Sequence, residues 1–271
     1  MIFYLTDFSV LFTNILAATT KETDALSLKA PDSWKQGRTL YGGLTSSVAL
    51  HAARELTGES RKLRSALISF VGPSTDEVVA EAHILRSGRT AATVRASLSS
   101  EGTPATEALL TFSDMRESAV LYEPQQAPKV SAPDPAHAPN FAAMGGPAFM
   151  ANFDIVPVGG GVPMSGALKP EVIWWARHTD PSARDTDLGL LCIGDVLPPA
   201  ALTMTTTPVK VSSMTWMVDI VADDLSTEDG WYLFRSSAES VRGGFSTQDM
   251  SIWNSGGGLV AKGRQTVTMF G

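Results

Sequence analysis

With 271 residues and 44% apolar content, the chain is long enough for one large domain or two ordinary ones and apolar enough to build a proper core. A net charge of -7 excludes a general attraction to nucleic acid, which rests on clustered Lys and Arg against phosphates, so an anionic ligand has to be met locally. Cys192 is the one cysteine and His51, His83, His137 and His178 lack ligand spacing, which excludes an internal disulfide and a cysteine-rich metal site. No metal or cofactor is expected, and a reducing cytoplasm is the expected compartment.

The opening MIFYLTDFSVLFTNIL has no basic stretch before its apolar run, and Asp7 interrupts that run, so it is expected to form a domain-leading helix. No run approaches the roughly 20 apolar residues that span a bilayer, so a soluble protein with no membrane partner is expected. WKQGRTLYGGLTSSVALHAARELTG has a turn-rich entry and a Gly42-Gly43 pair. Apolar residues then follow at helical spacing, Leu44, Val48, Ala49, Ala52 and Leu56, closed by Gly58, which predicts one buried helix. ALISFVGP, EVVAEAHILRSG, TAATVRASLSSEG and TEALLTF alternate and are separated by turn signals, which predicts an antiparallel meander.

Residues 116–170 are expected to be a linker: the stretch from Asp114 to Pro170 holds nine of the sixteen prolines and no period survives in it. Beyond it the first series repeats. LGLLCIGDVLPPAALTM supplies an apolar helical stretch, and MTWMVDIVA, GWYLFRSSAESV, GFSTQDMSIWNSGGG and LVAKGRQTVTMF give strands in the same order. Phe70 to Pro73 fall opposite Ile220 to Asp223, and Gly42-Gly43 opposite Gly194-Asp195. The pattern predicts an α+β double hot-dog, two tandem units each with a long helix wrapped by a bent antiparallel sheet. The first module is 1–115 and the second is 171–271. Pairing the two removes an open sheet edge that a lone unit would leave exposed. Two unrelated α+β segments of similar pattern are the bland alternative.

The patch GRTLYGGLTSSVALHAA resembles the "G-R-x-[LVF]-[FY]-G-G" entry to the first helix of double hot-dog acyl-CoA thioesterases, the family of bacterial acyl-CoA thioesterase II. That resemblance covers most of the chain. It implies an Asp, a hydroxyl residue and a Gln as the catalytic set. Asp195 in IGDVLPPAAL matches "D-x-x-x-L-P", Ser213 in SSMTWMVDI matches the hydroxyl setting, and Gln265 follows LVA in LVAKGRQTVTMF. The hydroxyl is Ser where the family has Thr, and DIVADD stands where the family has a His-Arg-Pro-like run. Ser212 is an alternative register for Ser213. The resemblance further implies an acyl-CoA substrate and a homo-oligomer.

A thioester carbonyl is already electrophilic, so hydrolysis needs a positioned water, an acceptor for its proton and donors where the oxyanion grows. Asp195 is the expected acceptor, and Ser213 and Gln265 are expected to hold the water. Gly194, expected at a helix start, would bring backbone N–H groups to the carbonyl. Each residue also has a plainer account. Asp195 would serve as a helix N-cap, Gln265 would point outward, Ser213 would simply begin a strand, and Gly42 and Gly43 would allow close packing rather than contact the substrate. Opposite the polar set, the first half has Gly43, Leu63 and Glu107, which places a single site in the second half. No G-x-S-x-G elbow is present. Two further functions stay open: a non-catalytic acyl-CoA-binding protein, and an enoyl-CoA hydratase, whose "G-D-x-N-P-x-H" pattern GDVLPPAA imitates without the Asn and His.

Overall fold

The computed structural model describes residues 10–270. Of the expected leading helix, residues 1–9 lie outside the described residues, and helix α1 covers Phe12–Ala17. The first half continues with β1 (Thr20–Glu22), β2 (Ala25–Lys29), a short hairpin of β3 (Lys35–Gln36) and β4 (Thr39–Leu40), and helix α2 (Gly42–Thr57). Strands β5 (Leu63–Phe70), β6 (Glu77–Ser87), β7 (Ala91–Ser100) and β8 (Thr103–Ser113) complete it. The second half has β9 (Phe153–Gly160), β10 (Glu171–His178) and helix α3 (Asp187–Ile193). It ends with β11 (Lys210–Ile220), β12 (Tyr232–Arg242), β13 (Phe245–Asn254) and β14 (Leu259–Phe270).

All strands but the short hairpin join one 12-stranded sheet in the order β1-β2-β6-β7-β8-β5-β11-β14-β13-β12-β10-β9, antiparallel throughout. The order is its own mirror about the β5–β11 contact, where Thr215 pairs with Ser69 and Asp219 with Ser65. The repeat read in the sequence is therefore also a repeat of topology, and the edges it joins are the two that lone units would expose. Bulges near Arg86, Ser99, Met214, Glu239 and Trp253 bend the sheet. Strand alternation sets the faces: in β7, Ala92, Val94, Ala96 and Leu98 are buried while Arg95 is exposed. Glu101 and Gly102 both take positive φ, at 52° and 74°, and close the β7–β8 hairpin in two residues.

Helix α2 buries Leu44, Val48, Ala49, Leu50, Ala52 and Ala53, packs on β6, β7 and β8, and stops at Gly58, whose φ of 69° is the left-handed cap. One core runs through both halves, from Val48 and Leu98 to Trp174, Trp216 and Ile252. A smaller cluster, with Trp175, Trp231 and Trp253 at its centre, lies under Ala127, Val130 and Ala138.

Two expectations are corrected. The segment 116–170 is not irregular throughout, because β9 within it pairs with β10 from Phe153 to Gly160. Pro157 disguised the strand. It sits on the sheet edge, where a missing N–H costs nothing, and next to a register shift that breaks the alternation. The second half also lacks a long helix. Helix α3 ends at Ile193, and the chain after it reaches only a 3-10 turn at Ala200–Met204. Pro199 has no N–H and pushes Pro198 out of the helical region, so the run from Asp195 cannot wind on. Among the described residues no helix is long and apolar enough to cross a membrane.

Candidate active site

Asp195, Ser213 and Gln265 come from three separate segments and meet in one hydrogen-bonded group. Gln265 lies on the inner face of β14 and is 3% exposed. Its Nε2 donates to Asp195 Oδ1 at 2.8 Å and to Ser213 Oγ at 3.0 Å. This excludes the outward-pointing alternative for Gln265 and fixes the serine register. Ser212 is exposed, whereas Ser213 is half-buried and bonded into the group. The bulge at Met214 lets Ser213 and Trp216 share the inner face although they are three positions apart.

Asp195 follows Gly194, the C-terminal cap of α3, and is half-buried. It begins no helix of its own, so the N-cap expected of it for the run that follows is not formed. Burial pushes its carboxyl up to about 7, against the donors Gln265 and the backbone N–H of Gly43, which favour the charged form. A carboxylate whose pKa lies there can take a proton from water near neutral pH and return it. Its titratable neighbours stay neutral: burial raises both the Tyr41 hydroxyl and the Cys192 thiol well above their ordinary ranges.

The amides expected from Gly194 come from elsewhere. Gly194 stands at the C-terminal, negative end of α3, close against Leu190 and the Trp216 ring, and directs no helix start toward Asp195. The helix start at Asp195 belongs to α2, in the first half. Gly43 donates to the carboxylate, and a Cβ on Gly42 would stand 2.6 Å from Asp195 Oδ2. A Cβ on Gly43 would lie 2.0 Å from the Cys192 carbonyl oxygen. Only glycines let α2 approach this closely. Tyr41 Oη donates to the same carbonyl at 2.7 Å, Ser47 Oγ donates to Leu188 O at 2.9 Å, and Arg54 pairs with Asp187, so three further contacts hold α2 against α3. The site is thus shared: the second half gives the polar set and the first half gives the positive end of a 16-residue helix.

One member was missed. Gln248 on β13 is fully buried and donates through Nε2 to Gln265 Oε1 at 2.6 Å. Its signal was available, since Ser246, Gln248, Met250 and Ile252 form one inward phase of β13 and a buried amide must be paired. Arg38, Arg86 and Arg89 are exposed; Arg38 lines an open cleft with Gly145 and Gly146. His51 is half-buried and bonds to Thr19 Oγ1 at 3.2 Å.

Residues 30–113 match a family described as the acyl-CoA thioesterase N-terminal domain, and residues 124–269 match the acyl-CoA thioesterase C-terminal domain. Among solved structures, a conserved hot-dog protein of unknown function from Alicyclobacillus acidocaldarius is 21% identical with a TM-score of 0.85, over 96% of this chain and 98% of that one. The tesB protein of Mycobacterium avium subs paratuberculosis is 18% identical with a TM-score of 0.74, over 95% and 98%. An acyl-CoA thioesterase II, TesB2, from Mycobacterium marinum is 19% identical with a TM-score of 0.72, over 95% and 97%. These likenesses show the hot-dog fold. No curated protein matches.

Proposed function

The chain belongs to the acyl-CoA thioesterase family, and from that premise we propose that it hydrolyses an acyl-CoA to the free acid and CoA, with Asp195 as the base. The observation that carries this reading is the Asp195 carboxyl itself, pushed up to about 7 and held by Gln265 and by the start of α2. Water attacks the thioester carbonyl carbon and Asp195 takes its proton. The tetrahedral intermediate then expels the CoA sulfur, which takes that proton back from Asp195. Ser213 donates its hydroxyl hydrogen to the water or to the growing oxyanion. The positive end of α2, opened by Gly42 and Gly43, favours negative charge at the carbonyl oxygen. Gly194 serves the site by close packing. The division into an N-terminal module at 1–115, a connecting segment and a C-terminal module that takes in β9 from Phe153 onward is part of this proposal, as is the homo-oligomer.

The test is thiol release from acyl-CoAs of several chain lengths. Saturable release is expected, and release abolished by Asp195→Asn. No release across the whole panel, with acyl-CoA binding retained, would falsify the hydrolase reading in favour of a binding protein.

A further inference from the structure

Gln248 is the direct register partner of Gln265 across the β13–β14 pair and is 0% exposed. Its Oε1 accepts from the backbone N–H of Ala200 at 2.9 Å, and its Nε2 donates to Gln265 Oε1 at 2.6 Å. A backbone N–H can only donate, so it decides which end of the Gln248 amide faces it. The NH2 end must then face Gln265. Gln265 answers with its oxygen, which turns its own NH2 toward Asp195 Oδ1 and Ser213 Oγ.

We propose that Gln248 is a positioning residue of the site: anchored on the Ala200 N–H, it fixes the orientation of the Gln265 amide and so the direction of every hydrogen bond presented to Asp195 and Ser213. The catalytic consequence rests on the thioesterase reading; the orientation itself does not. Both N–H bonds of Gln265 and its oxygen are engaged within the protein. Gln265 is therefore a brace for Asp195 and Ser213 rather than a holder of water. Because Ser213 Oγ accepts from Gln265, its hydrogen is free for the water or the thioester oxygen. Turning the Gln265 amide over would set its oxygen against the Asp195 carboxylate, two acceptors with no proton between them, and would draw the Ser213 hydrogen away from the substrate. The orientation decides whether the site can work.

The experiment uses the full chain with Gln248→Met, which keeps length and removes the donor, and Gln248→Glu, which keeps the acceptor for Ala200 and offers Gln265 the wrong partner. Tyr41 and Cys192, the titratable neighbours of Asp195, stay neutral through the relevant range. The Asp195 carboxyl can therefore be titrated by carbon NMR. In Gln248→Met, which adds no charge to the network, its midpoint should rise by about one pH unit, which a lost charge-assisted hydrogen bond of about 1.4 kcal/mol produces. Both variants should lose kcat by about tenfold or more with KM within about twofold, and Gln248→Met should cost nothing further in a Gln265→Ala background. An unchanged carboxyl midpoint, or equal loss with and without Gln265, overturns the proposal. So does the absence, in the parent protein, of a through-hydrogen-bond coupling between the Ala200 amide and the Gln248 side-chain carbonyl, a measurement that needs no variant to fold. A parent that hydrolyses no acyl-CoA sinks the thioesterase reading alone and leaves the carboxyl titration to decide the orientation.

Discussion

Asp195 is held in a place that favours its neutral form, and both activity and stability should report this. Because the proposed hydrolysis needs Asp195 ionised, kcat/KM should rise with pH through about 7, where the carboxyl titrates, and then level. Stability should run the other way. Between the unfolded carboxyl's ordinary range near 4 and the folded value of about 7, the unfolded chain releases a proton that the folded chain keeps. The stability that this group contributes is complete at acid pH and is lost as pH rises to about 7. Asp195→Asn removes the titration, so the variant should be the more stable protein at pH 8, by roughly 1–3 kcal/mol, and lose that advantage by pH 4. Melting curves of the pair across this range check it; a variant less stable at pH 8 than at pH 4, relative to the parent, would show that the carboxylate is not strained. Asp195 was legible in the sequence because a carboxylate inside CIGDVL needs a reason. Gln265 needed the family pattern. Ser213 could not be separated from Ser212 until the bulge at Met214 set the register, and Gln248 was passed over because no motif marks it.

At the scale of elements, the contact that makes the site is the start of α2 against the end of α3, and its two glycines are not equivalent. A Cβ at position 43 meets the Cys192 backbone carbonyl at 2.0 Å, which cannot move without shifting α3. Gly43→Ala should therefore cost about 2–3 kcal/mol of stability together with activity. At position 42 the Cβ meets the end of the Asp195 side chain at 2.6 Å and the Phe70 ring at 3.1 Å, and both can turn. Alanine also gains up to about 1 kcal/mol over glycine within a helix, so Gly42→Ala should leave stability nearly unchanged while displacing the carboxylate and lowering kcat. Thermal melts and kcat for the two variants separate the cases; equal destabilisation of both would contradict the geometry. The Gly42-Gly43 pair was visible in the sequence, as was its position opposite Gly194-Asp195. What the repeat concealed is that the second copy is broken: Pro198 and Pro199 stop it, so the amides that one half lacks are supplied by the other.

For the whole molecule, the mirror order of the sheet places β5 and β11 at its centre, and the site lies across the same boundary. The halves share one core, and Arg64 and Lys62 of the first pair with Asp223 of the second. The covalent link between them is a different matter. Residues 114–126 lie exposed, with Leu121 at 85% and Tyr122 at 81%, and take no part in the sheet. The dimer-like contact, not the connection, should hold the site together. Inserting a specific protease site between Leu121 and Tyr122 and cutting it should give two fragments that elute as one species and keep thioester hydrolysis near the uncut rate. The second-half fragment isolated after denaturation should be inactive, because Gly42 and Gly43 have left with the other piece, and adding the first fragment back should restore the rate. Loss of activity in a nicked protein whose fragments remain associated would mean that the connection itself orders the site, a role for which Trp175, whose indole N–H donates to Ser131 O at 2.9 Å, would be the first residue to examine.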